Sequence, residues 1–201
     1  MRATTTLAAL ALVGLVAAGC SATSSTDDGA PLTPGTTAAP EASAQVPDTV
    51  VPTRVVVRSI GSDSTLQAVG LNSDHTLQTP PVSDPGQAAW YRLSPIPGNT
   101  GPSVILGHIN GDGHPGVFVH LADLKPGAEV DIDRSDGTTA VFSVSKVELM
   151  PKNDFRTSEV YGDVGNAQLR LVSCGGALDS SAHSYEDNVV AYADLVGAHR
   201  T

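Results

Sequence analysis

The chain has 201 residues, of which 21 are Asp or Glu and 11 are Lys or Arg, for a formal net charge of −10. That balance argues against a nucleic-acid partner and against adsorption to an anionic membrane by charge alone. Its two cysteines, Cys20 and Cys174, lie far apart, the first in a segment that should never join a core, so no internal disulfide is expected.

Residues 1–20, MRATTTLAALALVGLVAAGC, open with Arg2 and continue with an apolar stretch from Leu7 to Ala18. The stretch has the length of a signal-peptide h-region and falls short of the ~20 apolar residues of a membrane-spanning helix. It ends in Ala-Ala-Gly directly before Cys20, which resembles a bacterial lipobox, whose cysteine is acylated on sulfur and becomes the N-terminus after cleavage. Plain secretion with an incidental cysteine and an uncleaved anchor are the other readings, and all of them export the protein. Residues 21–52 are mostly Ser, Thr, Ala, Pro and Gly. They hold too little apolar surface to offset the entropy of ordering, so a flexible tether is expected there.

The remaining residues, 53–201, number about 150, enough for one domain with its own core. Gly and Pro separate short β-branched runs: TRVVVRSI, SVILGHI, AEVDIDR, TAVFSVSKVEL, QLRLVSC and NVVAYADLV. Segments of helical period are scarce, and VFVHLADL, opening into KPG as a stop, is the best short helix candidate. This pattern predicts an all-β sandwich or barrel.

Cys174 ends the run LRLVSC and is followed by two glycines. Side chains alternate along a strand, so Leu169, Leu171 and Ser173 share one face while Arg170, Val172 and Cys174 share the other. With the leucines in the core, the thiol lies on the opposite face at the strand's end, where a nucleophile is better placed than a core cysteine. A thiol nucleophile needs a proton carrier. His108 suits that role because PSVILGHING repeats the form of the cysteine segment, an apolar strand ending in a polar residue flanked by glycine. His114, His120 and Asp112 follow closely, so a metal site is an alternative, although three or four converging ligands would be needed. His75 and His199 read as surface residues, and His183 as an exposed residue of the loop after the cysteine.

A strand ending in Gly-His ahead of a strand ending in Ser-Cys resembles the sortase family, the cysteine transpeptidases of Gram-positive cell surfaces. WYRLSPIPGNTGPSVILGHING, VFVHLADLKPGAEVDI, LVSCGGALD and YEDNVVAYADL resemble its actinobacterial class F branch, from about Val55 to Leu195. The resemblance implies a closed eight-stranded β-barrel with short helices in its connections. It implies cleavage of an LPXTG-like sorting signal through a thioester, then transfer of the protein to an amine acceptor such as a peptidoglycan precursor. Cys174 would be the nucleophile and His108 the acid and base. No cofactor or metal is implied, and the protein is expected to act as a monomer.

The resemblance also implies an arginine that steadies the oxyanion. Many sortases carry it about a dozen residues after the cysteine, where this chain has SYEDNVV with Glu186, Asp187 and Asn188. Arg170, on the cysteine's face, is the expected substitute, about 13–14 Å away along the strand. Arg92 and Asn188 are the other contenders. A lipid at Cys20 in place of a transmembrane segment is a second departure. It would hold the enzyme on the outer face of the plasma membrane. Two further readings stay open: a catalytically weak sortase-fold binding lipoprotein, and a cysteine hydrolase of the cell wall.

Overall fold

The β-branched runs form strands because branched side chains suit a pleated surface, and each strand turns one of its two faces to a core. In the computed structural model, which describes residues 45–201, β1 (Pro52–Val57) places Val55 and Val57 inside, both fully buried. It is followed by β2 (Ser62–Val69), β3 (Ala88–Tyr91), β4 (Gly101–Gly107) and a small hairpin of β5 (Asn110–Gly111) and β6 (His114–Pro115). Then come β7 (Glu129–Arg134), β8 (Thr138–Pro151), the single-turn helix α1 (Thr157–Tyr161), β9 (Ala167–Asp179) and β10 (Ser184–Arg200).

Eight strands close into a barrel in the order β1-β2-β3-β4-β9-β10-β8-β7. All neighbours are antiparallel except β2 with β3 and β4 with β9, which run parallel. The barrel interior is filled by Val55, Val57, Ile105, Ile132, Phe142, Leu169 and Leu171, joined by Phe118 and Leu121 from the connection after β6. The two leucines of LRLVSC thus face the core as expected. Their neighbours face outward into a second cluster of Val104, Leu106, Val172, Val190 and Tyr192, joined by Met150 of β8 and by Phe155, Val160 and Tyr161 around α1. The sheet is therefore buried on both faces at β4, β9 and β10, which gives the site a rigid floor.

Two expectations differ from what forms. The segment VFVHLADL is a turn followed by a 3-10 helix at Leu121–Asp123. Phe118 and Leu121 lie three residues apart and both enter the core, a spacing that one tight turn satisfies without a longer helix. The last residues of the expected tether are held to the barrel. Val46 N–H donates to Asn99 Oδ1 at 2.5 Å, Asn99 Nδ2 donates back to Val46 O at 2.9 Å, and Val50 is buried. Residues 1–44, with the signal segment, Cys20 and most of the tether, lie outside the described residues.

Candidate active site

Cys174 is half-buried and not in a disulfide, and it lies within β9, which runs five residues past it to Asp179 instead of ending on the thiol as the sequence suggested. Two glycines follow it for distinct reasons. A Cβ on Gly175 would lie 2.4 Å from Val189 Cγ2. Gly176 adopts φ +77°, and a Cβ there would meet Asp187 Oδ2 at 2.1 Å. The left-handed residue and the register shift opposite it, between Tyr185 and Asp187, form a bulge that bends the hairpin away after the thiol. The turn beyond is tied by Asp179, whose Oδ1 accepts from Ser181 Oγ at 2.6 Å and from the Ser181 and Ala182 amides. Those bonds hold its carboxyl below the usual aspartate range, the Ser181 hydroxyl being the largest cause.

His108 follows β4 directly. The parallel register pairs Leu106 with Val172, and both belong to the outer-face cluster. Two residues further on each strand stand His108 and Cys174, so alternation brings them to the same level on the same face. His108 Nε2 lies 2.7 Å from the carbonyl oxygen of Pro80. A carbonyl only accepts, so Nε2 carries the proton and Nδ1 is left for proton exchange. The backbone is fixed as well: Phe118 N–H donates to His108 O, and a Cβ on Gly116 would lie 2.1 Å from that oxygen.

Both side chains line one groove of about 1070 Å3. Its walls are mostly apolar: Leu77, Pro80 and Val82 from the β2–β3 connection, Phe155 and Tyr161 from around α1, and Leu178 from the hairpin after Cys174. Asn110 Nδ2 donates to Tyr185 Oη at 2.7 Å and links the segment after His108 to the strand after Cys174. No Lys or Arg side chain lines the groove among the described residues.

Arg170 is therefore not brought to the thiol. It is 3 % exposed, and its guanidinium donates to Gln168 Oε1 at 2.6 Å and to Leu169 O at 3.1 Å. It also stacks on the Tyr192 ring at 4.4 Å. These partners lean it toward the start of β9, away from Cys174, although the two share a face. Burial lowers the Arg170 pKa and pushes the Tyr192 hydroxyl up to about 12. Arg92 is exposed and packs over Gly70.

His114 and His183 line the groove, while His120 Nδ1 pairs with Asp123 Oδ2 at 3.1 Å on the surface. No group of three or more His, Cys, Asp or Glu side chains converges as a metal would require among the described residues. Asn188, one of several contenders in the sequence, is directly opposite Cys174 in the β9–β10 register and also lines the groove.

The barrel is closed and mixed, with Cys174 within β9 and His108 just past the end of its parallel neighbour β4, and comparison with known families identifies this fold. The sortase domain model matches residues 46–196, so the chain belongs to the sortase family. Solved structures similar to it include sortase A from Corynebacterium diphtheriae (18 % identity, TM-score 0.57), with 73 % of this chain and 60 % of that one covered. Sortase C-1 from Actinomyces oris is 16 % identical at a TM-score of 0.56, covering 72 % of this chain and 73 % of that one. Listeria monocytogenes sortase A is also 16 % identical at 0.56, covering 76 % and 90 %. At these identities the likeness speaks for the fold. A sequence search of curated proteins gives no match.

Proposed function

We propose that this protein is a cell-surface cysteine transpeptidase of the class F type. It would cleave an LPXTG-like sorting signal and transfer the released protein to an amine acceptor of the cell wall. The observation that carries the reading is the level placement of His108 and Cys174 on adjacent strands in one groove. Its volume and mostly apolar walls suit an extended peptide better than a small polar metabolite.

In the first half-reaction the Cys174 thiolate attacks the carbonyl of the scissile Thr–Gly bond, with its proton held on His108. Collapse breaks the C–N bond, the leaving amine takes the proton from His108, and a thioester on Cys174 remains. In the second half the acceptor amine attacks the thioester, gives a proton to His108, and Cys174 leaves. The bond from His108 Nε2 to Pro80 O keeps one tautomer, so Nδ1 serves both transfers. A lipid on Cys20 and a tether through residues 21–44 would hold the domain at the outer face of the membrane. Among the described residues no helix is long and apolar enough to cross it.

A binding module of weak activity is the second reading, favoured by a groove without Lys or Arg. The test is incubation of the full chain with a library of sorting-signal peptides and an oligoglycine acceptor. Ligated peptide–oligoglycine product supports the transpeptidase. Hydrolysed peptide alone supports a hydrolase, and binding without any product supports the module.

A further inference from the structure

The β9–β10 register pairs Asn188 with Cys174. Directly paired residues project to the same face with Cβ atoms about 4.5–5.5 Å apart. His108 stands at the level of Cys174 on the other flank, through the parallel pairing of β4 with β9. Three neighbouring strands therefore present imidazole, thiol and carboxamide in a row across one groove. The Asn188 amide makes no side-chain hydrogen bond to another described residue. The other asparagine on the groove, Asn110, is engaged with Tyr185.

Attack by the thiol creates negative charge on the scissile carbonyl oxygen, and that charge needs a donor on the side away from the proton carrier. Neither Arg170, held by Gln168 and Tyr192, nor Arg92, packed over Gly70, lines the groove. We infer that Asn188 is a catalytic residue whose Nδ2–H donates to the substrate carbonyl and to the oxyanion formed from it. The inference rests on the transpeptidase reading above. A neutral carboxamide is an adequate donor, since asparagine side-chain N–H groups serve in oxyanion holes.

The experiment follows thioester formation by the full chain with a sorting-signal peptide, for the parent, Asn188→Ala and the isosteric Asn188→Asp. Each variant's melting temperature and rate of alkylation by iodoacetamide are measured alongside. Loss of one oxyanion donor corresponds to about a 10²–10³-fold fall in rate. We expect it in kcat with little change in KM for Asn188→Ala, and at least as large a fall for Asn188→Asp, whose carboxylate faces the oxyanion. Melting and alkylation should stay near those of the parent. Acylation of either variant within threefold of the parent overturns the inference and leaves the transpeptidase reading standing. A fall in acylation matched by an equal fall in alkylation overturns it in favour of a role in placing the thiol. A parent that acylates with no peptide overturns the transpeptidase reading and this inference together.

Discussion

Replacing Arg170 by alanine separates an oxyanion donor from a buried structural cation. The guanidinium donates to Gln168 Oε1 and Leu169 O and stacks on Tyr192, and the residue is 3 % exposed. A hydrogen bond from a charged donor contributes about 1.5–3 kcal/mol and a desolvated cation–π contact about 1–2 kcal/mol. Relief of the buried charge offsets part of that sum, leaving an expected loss of about 2–4 kcal/mol. For a domain of this size each kcal/mol moves Tm by about 2–4 °C, so Arg170→Ala should melt about 5–15 °C lower. Arg170→Met keeps much of the stem and removes the charge, and should fall less. Turnover per folded molecule, measured well below both melting points, should stay within a few-fold of the parent for each. An unchanged melt with turnover lowered a hundredfold would place the guanidinium at the reacting carbonyl and refute this account of the residue.

Cys174→Ala should melt within a few degrees of the parent, since a small half-exposed side chain costs at most about 1–2 kcal/mol, while a peptide-transfer assay should find no product. His108→Ala should lose transfer by orders of magnitude. By contrast, His114→Ala and His120→Ala should stay within several-fold in the same assay. Asp63, Asp74, Asp136 and Asp179 are held below the usual carboxylate range, chiefly by hydrogen bonds from Arg54, Thr76, Thr138 and Ser181. Their contribution to stability is therefore complete above the unfolded value of about 3.9 and is lost as pH falls through the lower folded values. Thermal melts should be flat in this respect above about pH 5 and decline below about pH 4.

The strands β1, β4, β7, β8, β9 and β10 are readable from composition because each carries a β-branched apolar run, alternating where one face is exposed and continuous in β4, where both are buried. β2 is not, since SDSTLQAV is polar and is held by pairing with β1 and by the Arg54–Asp63 ion pair at 2.5 Å. β3 is four residues long and owes its form to its neighbours. The face of Cys174 and the place of His108 just past β4 are legible for the same reason as the strands themselves, whereas the run of β9 on to Asp179 is not, because Gly175 and Gly176 read as a stop. Alternation gives Arg170 its face but not its lean, which Gln168 and Tyr192 decide. The pairing of Asn188 with Cys174 depends on a bulge of β9 at Gly176 and Ala177 opposite Glu186, which no local pattern announces. The start of the domain is equally hidden, because Asn99 reaches back 53 residues to hold Val46.

In the proposed reaction the Cys174 thiol, served by His108, takes the acyl group of a cleaved sorting signal. Intact-mass analysis of the full chain, quenched in acid after mixing with such a peptide and mapped by proteolysis, reads that step out. The expected result is an adduct of the N-terminal peptide fragment on Cys174 that hydroxylamine removes and that is absent in Cys174→Ala. An adduct on another residue, or peptide cleavage that persists in Cys174→Ala, would contradict it.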